Sequence, residues 1–178
     1  GIRNGALLAA KGDRQSFSHV SSNFKTATER KVLDAAEVHL MLAEGVLRGW
    51  DITGTAEAHY KMGVKESFAY WGAGGADAYL ANSTGLPTNY DDPKETGAVN
   101  DFTTRITNTV AWDEAASNEI KLEKIITQKW IASFTNSVES WVDHRRTGYP
   151  KLPYNYKNDS STSPFGTVAS DDFLRRHP

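Results

Sequence analysis

Glu37 and Glu44 are the first residues in this chain whose type and spacing could do chemistry, since two carboxylates can act as acid and base across a glycosidic bond. Seven residues of helix would separate them by roughly 10.5 Å along the axis. That exceeds the roughly 5–5.5 Å of retaining glycosidases and the roughly 6.5–9.5 Å of inverting ones. The pair also flanks an Ala36/Ala43 stripe, where hydrogen bonding to a neighbouring helix is the simpler role. The histidines His19, His39, His59, His144 and His177 show no metal-ligand spacing. His39 and His59 fall within helical pattern, and a zinc site needs several ligands converging, so a structural or solvated role is expected for both. The run Asp91-Asp92-Pro93-Lys94-Glu95 offers oxygens to Ca²⁺ but lacks the alternation and the glycine of an EF-hand loop, so it reads as a solvated acidic loop. Arg145 and Arg146 could clamp an anion. A cationic helix end that pairs with Glu139 or Asp143, with its stems on Trp141, is the expected use.

No Gly-x-Ser-x-Gly elbow, His-Glu-x-x-His motif, phosphate-cradling loop or dinucleotide fingerprint occurs. The absence of cysteine removes thiolate catalysis, disulfides and Cys-based zinc sites together. These absences weaken the case for an enzyme without closing it, and no metal and no cofactor is expected. Net charge is −2 and no basic block runs through the chain, so nucleic acid is not an expected partner. No stretch approaches the ~18 apolar residues of a membrane span. The start, Gly1-Ile2-Arg3-Asn4-Gly5, is not a signal peptide, which leaves an intracellular protein or a targeting segment lying upstream.

The elements that must position any site are mostly helices. Residues 1–30 read as irregular, with room for a short strand. Residues 31–81 read as a helical hairpin: Leu33, Ala36, Leu40, Ala43 and Leu47 form one apolar stripe, and Ala56, Tyr60, Val64, Phe68 and Trp71 form the next. Thr26 with Glu29 offers a start, Gly49 a stop, and Gly72, Gly74 and Gly75 a second stop. Ala56, Tyr60 and Gly63 follow the small–aromatic–small pattern of a tetratricopeptide second helix, in which small residues let a neighbouring helix approach. Residues 82–116, with Pro87 and Pro93, read as a long surface loop. Residues 117–147 carry Leu122, Ile126, Trp130 and Phe134 on one helix. An Asn136/Glu139 capping box then opens another that buries Val138, Trp141 and Val142. Arg145-Arg146-Thr147-Gly148-Tyr149-Pro150 is a strong stop, and 148–178 is an irregular tail.

The segment Ile126-Thr127-Gln128-Lys129-Trp130-Ile131-Ala132, then Glu139-Ser140-Trp141, then Arg145 to Pro150, closely resembles the C-terminal signature of the SusD/RagB family of surface nutrient-binding lipoproteins. Ala36-Glu37-Val38, Leu42-Ala43-Glu44, Arg48-Gly49-Trp50, Tyr60 and Gly63 resemble that family's helical hairpin. The resemblance implies a mainly α fold of tetratricopeptide-like hairpins with long irregular loops, of the α-α superhelix type. It also implies that residues 1–178 are the C-terminal portion of a single, longer domain with its lipid anchor upstream. The implied location is the outer membrane at the cell surface. The implied partners are an oligosaccharide or other nutrient ligand and a SusC-like TonB-dependent transporter. The signature residues are framework, so ligand contacts are expected from aromatics outside the stripes, Tyr90, Tyr154 and Tyr156. Each has two alternatives, an inert loop residue or a transporter contact. The competing reading is a tetratricopeptide-type protein–protein adaptor, which needs several regular repeats where the sequence offers one.

Overall fold

The computed structural model describes residues 31–91 and 101–153. The chain divides into two units, Gly1–Lys31 and Val32–Pro178, and the described residues lie almost wholly in the second. The described residues of this unit form five helices: α1 (Ala35–Leu47), α2 (Ala56–Tyr70), α3 (Ala76–Leu80), α4 (Asn118–Ala132) and α5 (Ser137–Thr147). The fold is mainly α. Among the described residues there is no strand, only one isolated antiparallel bridge between Tyr90 and Phe102.

Local chemistry explains where the helices begin and end. The first turn of a helix has N–H groups without intrahelical partners, which a side-chain oxygen at the cap can accept from. Asp34 does this for Glu37 N–H at 2.7 Å, Thr55 for Ala58 N–H at 3.1 Å and Ser117 for Ile120 N–H at 3.3 Å. The cap of α1 is therefore Asp34, downstream of Thr26 and Glu29, which lie outside the described residues. Asn136 precedes α5, but its side chain accepts no capping bond, so the expected Asn136/Glu139 box does not form. Asn136 sits at φ −111°, ψ 70°, away from the extended backbone seen at the three working caps. At the far end of α5, Gly148 takes φ +75°, the left-handed conformation that a Cβ disfavours.

α1 and α2 pack as a tight hairpin on small residues. A Cβ built on Gly63 would lie 2.6 Å from Leu40 Cγ and 3.0 Å from the Ala36 carbonyl oxygen, so only glycine permits this approach. The core joins Ala36, Leu40 and Ala43 of α1 to Tyr60 and Val64 of α2, with Leu80 of α3 and Ile125 and Ala132 of α4 completing it. Tyr60 is fully buried, and its hydroxyl donates to the Val110 carbonyl at 2.8 Å. That bond fastens the irregular segment before α4 onto the hairpin, and Trp112 packs against the Tyr60 ring at 5.1 Å between centroids. Burial and the neighbouring Tyr79 push the Tyr60 phenol well above its ordinary range, so it stays a donor.

Five apolar positions depart from the expected burial. Leu33 precedes α1 and is exposed, and Phe134 lies beyond α4 and is 52% exposed. The Leu122–Ile126–Trp130–Phe134 series steps by four along a helix of about 3.6 residues per turn, so it drifts by about 40° per step and leaves the buried face. Of that series only Ile126 is fully buried, and the buried positions of α4 are Lys121, Glu123, Lys124, Ile125, Ile126, Gln128, Lys129 and Ala132. On α5, Val138 (66% exposed), Trp141 and Val142 face outward. Its buried positions are Ser140 and Asp143, because α5 is held to α1 and α4 by charge and not by its apolar stripe.

Candidate functional site

The polar interior of the helical unit is an ion network linking three helices. Glu44 on α1 receives both guanidinium nitrogens of Arg146 on α5, with Nη2 at 2.8 Å from Oε2, and the Arg48 Nε at 2.7 Å. Arg146 also donates to Asp143 at 2.8 Å, and Asp143 lies 2.8 Å from the Lys129 ammonium of α4. Lys129 in turn faces Glu37 of α1 at 3.7 Å. Three carboxylates (Glu37, Glu44, Asp143) thus meet three cations (Arg48, Lys129, Arg146), so the buried charges compensate one another. Burial pushes the Glu44 carboxyl up, but the hydrogen bonds and charges of Arg146 and Arg48 outweigh it and hold it below the usual carboxylate range. The Glu44 hydrogen bond raises the Arg146 guanidinium in return.

This network decides two readings. Glu37 and Glu44 are each turned to a cation of a neighbouring helix, so they are structural and not a glycosidase pair. Arg146 does pair with Asp143, but its stronger partner is Glu44, 102 positions away. Arg145 lies over the Trp141 ring at 5.1 Å. The structure also brings His39 and His59 together, with their Nδ1 atoms 3.1 Å apart and His59 Nε2 donating to the Thr53 carbonyl at 2.9 Å. No group of three or more His, Asp or Glu that could hold a metal occurs among the described residues. Of the acidic run, Asp91 is described and Asp92 to Glu95 lie outside the described residues.

A cleft of about 460 Å³ separates the irregular segments from α4. Leu86, Phe102, Ile106 and Leu152 supply apolar walls, while Glu123 and Thr127 face it from successive turns of α4. Its backbone walls are fixed from below: the Lys124 ammonium donates to the carbonyls of Thr109 and Ala111, the latter at 2.7 Å. Burial lowers the Lys124 pKa, against the pull of Asp113 and Glu123. Gln128 pairs with the Tyr79 hydroxyl at 3.0 Å, and Arg105 donates to the Leu152 carbonyl at 2.9 Å. Glu123 is 3% exposed, and one of its oxygens accepts from Asn108 Nδ2 at 2.8 Å and lies 3.2 Å from the Lys151 ammonium.

Tyr90 sits at the bridge with Phe102, which lines this cleft. The two rings stack at 5.2 Å between centroids with 19° between their planes, and both remain over a third exposed. Tyr154 and Tyr156 lie outside the described residues. Sequence reading missed Phe102, Glu123 and Thr127. Phe102 carried no periodic signal, while Glu123 and Thr127 share a face at i and i+4, and Thr127 stood inside the signature read as framework.

No helix among the described residues is long and apolar enough to cross a membrane. A search of curated proteins found no match. Solved structures do match. The chain is 45% identical to a chitin-binding SusD homologue from Flavobacterium johnsoniae, covering 79% of this chain and 28% of that one, with a TM-score of 0.71. A SusD homologue from Bacteroides thetaiotaomicron is 40% identical over 85% of this chain and 30% of its own, with a TM-score of 0.73. One from Bacteroides uniformis is 42% identical over 79% and 28%, with a TM-score of 0.69. The chain therefore spans less than a third of the length of these proteins. The model of the SusD-like family, described as SusD and RagB outer-membrane lipoproteins, matches residues 1–178 in full, and the chain belongs to that family.

Proposed function

We propose that this chain is the C-terminal portion of a SusD-like domain in a surface lipoprotein that captures a glycan and delivers it to a SusC-like TonB-dependent transporter. The reading makes it a binding protein and not an enzyme. The observation that carries it is family membership together with 45% identity to a homologue described as chitin-binding. The exposed Tyr90–Phe102 pair supports it locally, because aromatic faces stack on the C–H faces of sugar rings. Tyr154 and Tyr156 are proposed as further contacts of the same kind.

The test is a glycan-binding screen on the full-length protein, followed by titration of Tyr90→Ala against the best binder. Loss of one stacking ring weakens binding by roughly 2- to 12-fold. Absence of binding to any glycan by the wild-type protein would refute the capture reading. Unchanged affinity in Tyr90→Ala would remove Tyr90 from the site and leave the capture reading standing.

A further inference from the structure

The cleft between the irregular segments and α4 holds two polar atoms with no hydrogen-bond partner among the described residues, Glu123 Oε1 and Thr127 Oγ1. Both atoms are buried, and both residues line the cleft from successive turns of α4. A buried acceptor without a donor costs on the order of 1–3 kcal/mol, more for a charged group, so such atoms mark places where a further group completes the site. Neighbouring polar side chains of the cleft are already engaged. Lys124 is committed to two carbonyls, Gln128 to Tyr79, and Asn108 to the other Glu123 oxygen. The surrounding walls from Leu86, Ile106 and Leu152 are apolar, and Phe102 ties the cleft to the exposed ring pair. The volume of about 460 Å³ falls in the usual range of small-ligand sites, about 300–1,000 Å³.

We infer that this cleft is a saccharide subsite, in which Glu123 Oε1 and Thr127 Oγ1 read two donors of one neutral sugar unit while Ile106 and Leu152 contact its apolar face. The inference rests on the glycan-capture reading and deepens it by placing a specificity contact away from the Tyr90 platform. A carboxylate oxygen only accepts, so the ligand must present an O–H or N–H there. The threonine hydroxyl fits either polarity. Both atoms are closed off in the present side-chain arrangement, so ligand entry requires a neighbour to move, and we assign that movement to Lys151. Its stem is flexible, its side chain is 36% exposed, and its ammonium sits 3.2 Å from the Glu123 oxygen that Asn108 already serves.

The experiment is isothermal titration of the full-length protein with chitohexaose, cellohexaose and maltoheptaose, comparing wild type with Thr127→Val, Thr127→Ser and Glu123→Gln. The acetamido N–H of chitohexaose against the plain hydroxyls of the other two separates the sources of the donor. Thr127→Val removes the hydroxyl at nearly constant shape and breaks no side-chain hydrogen bond within the described residues, so it keeps the test open should Glu123→Gln fail to fold. The expected result is roughly 3- to 12-fold weaker binding for Thr127→Val, recovery in Thr127→Ser, and a loss at least as large for Glu123→Gln. Wild-type binding that is unchanged in both Thr127→Val and Glu123→Gln would overturn the subsite, leaving water as the missing partner and the capture reading intact. If none of the three sugars binds wild-type protein, the capture of neutral glycans falls and the subsite falls with it.

Discussion

Arg146→Ala tests whether charge, and not apolar packing, holds α5 in place. Removing one partner of a fully buried ion pair costs about 3–5 kcal/mol, because the remaining charge is stranded. Here the Arg146 side chain is 39% exposed, and Arg48 stays on Glu44 at 2.6 Å after the change. Solvent and the second cation remove about half of the penalty, leaving about 2 kcal/mol. For a chain of this length that lowers Tm by about 4–8 °C. The effect has a pH signature. The folded Glu44 carboxyl is held below its ordinary value, so the unfolded state binds more protons as the solution is acidified. The stabilisation is full above the ordinary carboxylate range and is lost as pH falls through the lower folded value. Thermal unfolding followed by circular dichroism at about pH 7 and about pH 3 reads both effects. A deficit under about 1 °C at neutral pH, or an equal deficit at both pH values, would refute the argument. Replacing both partners, as in Glu44→Leu with Arg146→Met, should cost less than Arg146→Ala alone, since the buried Glu44 carboxylate is then gone, Arg48 is 43% exposed to solvent and Asp143 keeps Lys129.

The remaining predictions concern packing and the fastening of the irregular segments. Gly63→Ala should destabilise by about 1–3 kcal/mol, because the added methyl meets Leu40 Cγ at 2.6 Å and a backbone oxygen at 3.0 Å. Gly45→Ala should cost less in the same thermal assay, since its Cβ meets only the side chains of Ile52 and Trp50, and Trp50 is 65% exposed and can move. Tyr60→Phe should cost about 1–3 kcal/mol in denaturant unfolding by stranding the Val110 carbonyl. It should also speed amide exchange in the segment before α4. Tyr149 donates to Glu119 at 2.6 Å, and that bond, aided by burial, pushes its phenol up to about 12. Ultraviolet titration should therefore show, besides the buried Tyr60 phenol, a second tyrosine ionising above the ordinary tyrosine range, at about 12, and Tyr149→Phe should remove that second one.

How much was legible in the sequence can be judged from particular residues. The α1 and α2 stripes were legible because helical period and burial coincide there: Ala36, Leu40, Ala43, Tyr60 and Val64 are all core. Gly63 was legible for the same reason, since a small residue on a buried stripe implies a close neighbour. α5 was legible as a helix with a sharp end at Gly148, but not in which face it buries. Its apolar residues suggested one face and its ion pairs imposed the other, because Asp143 and Arg146 find complementary charge on α1 and α4 and the valines find nothing equivalent.

Composition and local pattern by themselves determined the helical class, the hairpin, its glycine stops and the absence of recognisable catalytic motifs. These are properties of neighbours in sequence, governed by backbone geometry and by which side chains recur on one face. Only the tertiary structure decided that Glu44 meets Arg146 across 102 positions, that Tyr60 fastens Val110, and that Phe102, stacked on Tyr90, lines the same cleft as Glu123 and Thr127. Such pairings depend on which surfaces come within a few ångströms after packing. Charge and hydrogen-bond energies fall too steeply with distance, and depend too strongly on burial, for sequence spacing to specify them.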